Sequence, residues 1–322
     1  MNEFFLNFSP FFLLVPVIFI KCQMKKYRIY QIDAFTRELF RGNPAGVVPE
    51  ADGLTDEQMQ DLARELGNPE TAFIFPPDAA DHDFLVRFFT PMTEVPICGH
   101  ATISANYVRA LENNLPSSVV RQKSPIGILP VEIIKNDADY SIIMTQVRPT
   151  FTGPIGQAER QMLLNALRIT ENELDDRCPL QIVSTGHGKL IVGLKSRRVL
   201  NRLEPEQNLL KELGRKLQTS FFVFTFDSDI PEILTHARMF APAIGISEDP
   251  VTGNGNGPLG AYLVHNRLVS HNGQSFEFTS QQGEAMKRTG RVKVMVDIEN
   301  DEPVLVRIRG EAVVAFQTEI EI

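Results

Sequence analysis

The stretch "RFFTPMTEVPICGHATISA", residues 87 to 105, joins a strand-like run to a glycine-containing turn and then to small residues that suit a helix. The start of a helix leaves backbone N–H groups unpaired and carries a positive partial charge, so it can hold an anion. "RFFTP" recurs as "RMFAP" at 238 to 242, and "CGHA" at 98 to 101 is followed in the second half by "TGNG" at 252 to 255. Two strand, turn and helix units about half a chain apart predict a duplicated domain with a site between the halves.

Composition excludes several classes of protein. The 322 residues are 43% hydrophobic and carry a formal net charge of -8, without the basic stripe that a nucleic-acid binder needs. Three widely spaced cysteines, Cys22, Cys98 and Cys178, argue against a disulfide framework and fit a reducing compartment. The six histidines show no metal-ligand spacing. We therefore expect a cytoplasmic globular protein that binds neither nucleic acid, nor a metal, nor a membrane.

The first 23 residues differ from the rest. "FFLLVPVIFI", residues 11 to 20, is apolar but only half the length of a membrane span, and Pro16 interrupts it. It lacks the preceding positive charge and the cleavage site of a secretory signal. We interpret residues 1–23 as a disordered or mis-assigned upstream extension, with Met24 as the natural start. A degraded signal or membrane-surface anchor is the alternative.

Glu70 lies where a strand is predicted to leave a turn. "TDEQMQDLAREL" opens with the capping-box pair Thr55 and Gln58, and Gly67 supplies the C-terminal stop of this helix. Asn68 and Pro69 then turn the chain, and "TAFIF" follows Glu70 as a buried strand. A carboxylate beside apolar residues is expected to have its pKa raised toward neutrality, which suits a general acid/base.

Several motifs in fixed order carry a family resemblance. The motifs are "DAFTRELFRGNPAGVV", "GNPETAFIF", "FTPMTEVPICGHATISA" and "SEDPVTGNGNGPLGAYLVH". Together they resemble the phenazine-biosynthesis isomerase family (PhzF type), including its uncharacterised bacterial branch, from about Tyr27 to the C-terminus.

The resemblance implies a fold similar to that of diaminopimelate epimerase. This is an α+β fold of two similar domains, each a curved, mostly antiparallel, barrel-like sheet around a central helix, with the active site in the cleft between them. We expect the first domain over residues 24–147 and the second over 148–314, with a final strand at 315–322 returning to the first. A homodimer is expected.

The family motif assigns roles residue by residue. The resemblance implies that Glu70 is the catalytic acid/base and that His100 and Asp249 assist it. Gly99 and Gly253 match the family's glycines at the two helix starts, whose N–H groups are expected to hold the carboxylate of a small substrate. Proton transfer by a carboxylate requires no cofactor, so none is expected. The substrate-binding positions expected are Cys98, Gly99, Gly253, Asn254 and Asn43. His187 in "TGHGK" is a further residue that could line the cleft, although turn chemistry also explains it and Asn43.

Two positions depart from the relatives. Diaminopimelate epimerase uses two cysteines, but the position equivalent to the second holds Thr252, whose hydroxyl is too weakly acidic to partner a thiolate. The family often has serine where this chain has Asn254. Two-thiol racemisation is therefore not predicted, and the identity of the substrate stays open.

Two alternatives belong to other classes. A non-catalytic small-anion-binding protein would use the same cleft without turnover. A nicotinamide-dependent oxidoreductase is suggested by "GNGPLG", residues 255 to 260, which fits G-x-G-x-x-G. That motif should follow a buried strand directly, whereas "SEDPVT" intervenes and Pro250 interrupts any strand leading into it. The predicted function is a cofactor-independent isomerase acting on a small carboxylate-bearing metabolite.

Overall fold

A computed structural model of the chain describes residues 24–137 and 139–322. The interpretation of residues 1–23 as an extension lies outside the described residues and stays a prediction. In the described ranges, no helix has both the length and the apolar character needed to cross a membrane.

The first half of the chain and the C-terminal strand together build a closed ring of strands around one helix. The elements are β1 (Lys26–Ala34), β2 (Asn43–Val48), α1 (Asp56–Leu66), β3 (Glu70–Phe75), β4 (Phe84–Phe89), β5 (Glu94–Val95), α2 (Gly99–Asn113), β6 (Ser118–Ser124), β7 (Gly127–Asn136), β8 (Asp139–Thr145) and β17 (Glu302–Glu321). Around the ring the order is β17, β1, β2, β3, β4, β6, β7 and β8, and β8 pairs again with β17. Helix α2 lies inside the ring and helix α1 outside it.

The second half repeats this order around a second central helix. The elements are β9 (Thr150–Pro154), α3 (Gln157–Leu167), β10 (Gln181–Ser184), β11 (Gly188–Leu194), α4 (Arg197–Asn201), α5 (Gln207–Leu217), β12 (Ser220–Thr225), β13 (Thr235–Ala241), β14 (Ile246–Asp249), α6 (Gly253–His265), β15 (Ser275–Gln282) and β16 (Gly290–Glu299); short 3₁₀ turns span Glu171–Glu173 and Pro242–Ile244. The central helix is α6. The strands follow one another as β9, β10, β11, β12, β13, β15, β16 and β17, with parallel pairs at β11–β12 and β13–β15, as at β2–β3 and β4–β6 in the first half.

Strand β17 joins the two halves. Its first part pairs with β16 of the second half, and from Ala312 to Glu321 it pairs with β1 of the first. Between these parts it also pairs with β8. One apolar core therefore runs from the inner face of the first sheet to the inner face of the second.

Matching ion pairs confirm the duplication. Arg87 donates through Nε and Nη2 to the two carboxylate oxygens of Glu94 at 2.8 and 2.7 Å. Arg238 binds Glu248 through the same atoms at the same two distances. Each pair braces the segment that leads into a central helix. The predicted α+β class, with two similar halves each wrapped around a helix, is confirmed.

Helices α2 and α6 are buried on nearly every side, because each fills the inside of its own sheet. Glycines let α6 come close to its surroundings. A Cβ at Gly255 would lie 2.4 Å from Phe222 Cδ2, and one at Gly260 would lie 2.6 Å from Val294 Cγ1. The glycines of the G-x-G-x-x-G pattern thus lie within a buried helix, where close packing accounts for them.

Helix α1 ends where the sequence predicts. Thr55 accepts a hydrogen bond from the Gln58 backbone N–H, the Gln58 side chain accepts one from the Thr55 N–H, and Gly67 closes the helix at φ 64°. The left-handed φ at this position favours glycine. The chain then re-enters the sheet at Glu70, the first residue of β3.

Candidate active site

Glu70 faces the inside of the first half. Side chains alternate between faces along a strand, so Glu70 shares its face with Ala72 and Ile74, which lie in the core around α2. Phe73, on the opposite face, packs instead in the cluster under α1. The Glu70 side chain is 13% exposed. Helix α1 and the turn after it thus place the Glu70 carboxylate at one end of the ring of strands, on its inner face.

The start of helix α2 lies beside this carboxylate. Cys98 is extended, with φ -146°, and its side chain makes no capping hydrogen bond to the backbone. The first backbone N–H groups of a helix have no partner within the helix, so they are available to a ligand. A Cβ added to Gly99 would meet no described atom within 4 Å. The predicted anion position at Gly99 therefore has open space around it.

Cys98, His100 and Glu70 form a chain of contacts. His100 Nε2 lies 3.2 Å from Glu70 Oε2, and His100 Nδ1 lies 3.4 Å from Cys98 Sγ. The His100 side chain is 8% exposed. Nearly closed to solvent, the three groups interact at a lower effective dielectric than water, and each therefore has a strong effect on the protonation of the others.

The pKa of Glu70 is lowered, contrary to the sequence expectation. Burial by itself raises the pKa of this carboxyl, as expected, but the charge and hydrogen bond of His100 and a hydrogen bond from Cys98 together outweigh it. The expectation considered only the apolar neighbours of Glu70 in sequence. His100, which is 30 residues away in the chain, decides the outcome.

The pKa values of the other two groups are both raised. Burial lowers the pKa of His100, but the Cys98 sulfur and the Glu70 carboxylate raise it well above its usual value. Burial and the negative charge of Glu70 raise the pKa of the Cys98 thiol to about 11, against a partial opposing effect of His100. Near neutral pH the sulfur is therefore protonated, and Glu70 and His100 form a charged pair.

Asp249 reaches this cluster from the second half. Asn43 Nδ2 donates to Asp249 Oδ1 and to the Val251 carbonyl oxygen, both at 2.8 Å, and it lies 3.2 Å from His100 Nδ1. Asn43 is fully buried, and its Oδ1 has no hydrogen-bond partner in the described chain. Asn43 thus connects a side chain of each half across their interface.

Asp249 is held by its own half as well. Thr252 Oγ1 donates to Asp249 Oδ2, and Gln282 Nε2 donates to the Asp249 carbonyl oxygen at 2.9 Å. Burial raises the pKa of Asp249, against the opposing charge of His100 and the hydrogen bond from Thr252. The carboxylate therefore ionises less readily than an exposed aspartate.

Gly253, Asn254 and His187 lie beside this network, with contacts of their own. The Gly253 carbonyl oxygen accepts a hydrogen bond from Gln146 Nε2 at 3.1 Å, and Asn254 Oδ1 accepts one from Thr185 Oγ1 at 3.3 Å. His187 is exposed in the turn between β10 and β11, and partial desolvation of its ring and the charge of Lys189 lower its pKa. The structure thus groups Glu70, Cys98, His100, Asn43 and Asp249, with α6 beginning next to them.

Glu70, Cys98 and His100 also meet a geometric requirement for a metal site. Each offers one ligand atom, and these atoms lie within 4.8 Å of one another. In the described structure they are engaged with one another instead, as a charged pair and a neutral thiol. Metal-independent chemistry at this site stays a prediction.

Sequence reasoning gave no role at the site to three residues of this region, although it noted Thr252 as the replacement for a cysteine. Thr252 and Gln282 donate hydrogen bonds to Asp249. Lys189 is a buried lysine, and the charge of Asp249 acts to raise its pKa. Lys189 had no distinguishing sequence signal, because it precedes the continuous apolar run "LIVGL", which is buried on both faces of the strand. Gln282 had none, because it is far from Asp249 in the chain.

Comparison with known proteins identifies the family. A family model described as phenazine biosynthesis-like protein matches residues 32–318. The chain is 52% identical over 298 residues to an uncharacterized isomerase of Clostridium acetobutylicum, covering 92% of this chain and 99% of the relative. A crystal structure of a Bacillus anthracis phenazine biosynthesis protein of the PhzF family superposes with a TM-score of 0.83 at 31% identity, covering 93% of this chain and 100% of that one.

One more distant relative has a named reaction. The trans-2,3-dihydro-3-hydroxyanthranilate isomerase of Pseudomonas aeruginosa is 28% identical over 277 residues, covering 83% of this chain and 89% of that protein. The fold and these relatives indicate an isomerase with an epimerase-like fold. The chain belongs to the phenazine biosynthesis-like (PhzC–PhzF) family, as its motifs predict. Neither a nicotinamide enzyme nor a non-catalytic binding protein is favoured by these matches.

Proposed function

We propose that this protein is a cofactor-independent isomerase that moves a proton between two carbons of a small carboxylate-bearing metabolite, with Glu70 as the proton carrier. The observation that carries the proposal is the charge state of the cluster. Of Glu70 and Cys98, the carboxylate has a lowered pKa and the thiol a pKa of about 11. Near neutral pH, Glu70 is therefore the group able to accept a proton.

The same contacts suggest how the strength of this base changes. His100 lies 3.2 Å from Glu70 and lowers its pKa. A substrate that took over the hydrogen bond of His100 would remove one of the contacts that lower the pKa of Glu70, while burial, which raises this pKa, would remain. Glu70 would then become a better base once substrate is bound. The positive charge of His100 would stabilise negative charge developing on the substrate.

The two helix starts supply the means of orienting an anion. The space at Gly99 is open, and the N–H groups that begin α2 and α6 have no partner within their helices. A carboxylate held there would place the neighbouring carbon of the substrate near Glu70. Positioning of this kind makes a large contribution to catalysis, because it removes the entropic cost of bringing the groups together.

The test follows isotope exchange in deuterated water. A panel of small carboxylates, beginning with trans-2,3-dihydro-3-hydroxyanthranilate, is offered to wild type, and the compound that is turned over is then used with Glu70→Gln. Glutamine keeps the shape of the side chain but cannot act as a base, so turnover and deuterium incorporation should fall by about 10²- to 10⁴-fold. Glu65→Gln, an exposed change on α1, is the matched control and should behave as wild type.

The outcome separates an enzyme from a binding protein. If Glu70→Gln exchanges and isomerises as fast as wild type, Glu70 is not the proton carrier. If wild type binds a carboxylate from the panel tightly and never incorporates deuterium into it, the cleft serves binding without turnover for that compound. Cys98→Ala should keep substantial activity, because a protonated thiol is not expected to carry the proton.

A further inference from the structure

Lys189 lies on the inner face of the second sheet. Along β11, Leu190 and Val192 pack in the outer cluster beneath α5, whereas Ile191 lies in the inner core with Phe222. Because side chains alternate along a strand, Lys189 shares the inward face with Ile191. This position is at the beginning of β11, directly after the turn that carries His187.

The ammonium of Lys189 is buried without a close acidic partner. The residue is 3% exposed, and its Nζ donates to the carbonyl oxygens of His187 and Gly188, both at 3.4 Å. Within residues 24–137 and 139–322, no carboxylate lies within ion-pair distance of Nζ; Asp249 acts on it only through its more distant charge. Burial lowers the pKa of Lys189 to about 8, and the charge of Asp249 opposes this effect. A buried ammonium with so little compensation is costly to the fold, which points to a role in binding.

The duplication relates this position to the acid/base. Ala45 on β2 pairs with Glu70 at the start of β3, and Lys189 on β11 pairs with Ser220 at the start of β12. The two parallel pairs occupy equivalent places in the two halves, since each follows an outer helix, α1 or α5. Lys189 is therefore the counterpart of Ala45, and Ser220 the counterpart of Glu70. In this pair of equivalent positions, the first half has the carboxylate of Glu70 and the second half has the ammonium of Lys189.

We propose that Lys189 is an anion-binding residue of the site, whose ammonium holds a carboxylate of the substrate from the second half while Glu70 acts from the first. The inference rests on the proposed function, because it assumes a substrate bound between the halves. Asp249, whose charge acts on Lys189, lies in the segment that leads into α6 at Gly253. The N-terminal N–H groups of α6 and the ammonium would then bind the anion together. The ligand class is a small molecule with at least one carboxylate.

The test compares two probes of the same shape. Anthranilate carries a carboxylate on a flat ring, and 2-aminobenzamide replaces that carboxylate with a neutral amide. We expect wild type to bind anthranilate at least about 30-fold more tightly than the amide, and Lys189→Met to lose that preference, because it removes one partner of a desolvated ion pair. Lys195→Met, an exposed lysine just after the same strand, should keep it. Binding is measured by calorimetry on the full chain.

Three results would overturn the proposal. The first is equal affinity of wild type and Lys189→Met for anthranilate, and the second is the absence of any preference of wild type for anthranilate over the amide, including failure to bind either. The third comes from thermal unfolding. Lys189→Met should melt no lower than wild type, since a buried, weakly compensated ammonium has been replaced by an apolar chain of similar length. A large fall in melting temperature with loss of both probes would show a structural role.

The experiments distinguish a failure of the anion site at Lys189 from a failure of the proposed function of Glu70. Glu70→Gln should still bind anthranilate with the preference that depends on Lys189, because the probe needs no proton transfer. If Glu70 proves not to carry the proton while this preference holds, the function is wrong and the anion site stands. If isotope exchange depends on Glu70 while Lys189→Met binds anthranilate as wild type does, the anion site is wrong and the function stands.

Discussion

The protonation state of Cys98 gives the most direct test of which group carries the proton. A cysteine that begins a helix beside a histidine is a common setting for a reactive thiolate, and such an arrangement would favour sulfur chemistry. Here burial and the charge of Glu70 raise the pKa of Cys98 to about 11 instead. The alkylation rate of the thiol should therefore be low near neutral pH and rise with pH.

The magnitude follows from the fraction of thiolate. At about pH 7.5, a thiol with a pKa of about 11 is ionised to roughly 0.03%, whereas a free cysteine with a pKa of about 8.5 is ionised to roughly 9%. The ratio is about 300-fold, and the greater nucleophilicity of the more basic thiolate restores roughly tenfold of it. Cys98 should thus react at least about 30-fold more slowly than free cysteine, and its burial slows it further.

The assay is alkylation by iodoacetamide, followed by mass spectrometry of the peptides over a range of pH. Cys178, which is also buried and has a pKa raised to about 12, is an internal reference in the same protein. Each tenfold fall in proton concentration should raise the rate at Cys98 about tenfold up to its pKa. An alkylation rate of Cys98 that matches free cysteine near neutral pH and does not change at higher pH would show that Cys98 is a thiolate. That result would refute the proposal that Glu70 is the proton carrier.

Two further predictions concern stability. Gly255→Ala should lower the free energy of unfolding by about 1–3 kcal/mol in urea denaturation, because its Cβ would lie 2.4 Å from the Phe222 ring. Gly99→Ala should lower the free energy of unfolding by less than about 0.5 kcal/mol, because its Cβ would meet no described atom within 4 Å. Equal effects of the two substitutions would contradict the packing argument. The Glu70–His100 pair should stabilise wild type relative to a Glu70→Gln/His100→Asn variant most between about pH 4.3 and pH 6.5. Because the folded pKa of Glu70 is lowered, its contribution is lost as pH falls through that pKa, and because the folded pKa of His100 is raised, its contribution is lost as pH rises through that pKa. An advantage over the variant that keeps growing above about pH 7 in denaturation measured across this range would contradict this assignment.

The two halves contribute different chemistry from equivalent positions. Cys98 and His100 begin α2, and Thr252 and Asn254 occupy the matching places at α6. The carboxylate of Asp249 stands after Glu248, where the first half has Val95 after Glu94. A duplicated fold thus keeps its structural ion pairs, Arg87–Glu94 and Arg238–Glu248, while the side chains at the starts of the two central helices differ.

The sequence by itself determined the elements whose signals are local. The cap at Thr55, the stop at Gly67 and the strand that begins at Glu70 depend on neighbours within a few residues, and all three have the predicted form. The repeat of "RFFTP" as "RMFAP" predicted the duplication, and in the structure the arginine of each copy binds a glutamate of its own half. The motifs in their order predicted the family.

Only the tertiary structure decided the electrostatics of the site. The sequence places Glu70 among apolar residues and so predicts a raised pKa, but folding brings His100 to 3.2 Å from it and reverses the direction. Asn43 and Asp249 are 206 residues apart, and their hydrogen bond exists because the two halves meet. Charge interactions depend on distance in space and on burial, and neither can be read from spacing along a chain. For the same reason Lys189 reads as an ordinary strand residue until the sheet shows that it faces inward with no carboxylate of the described chain close to it.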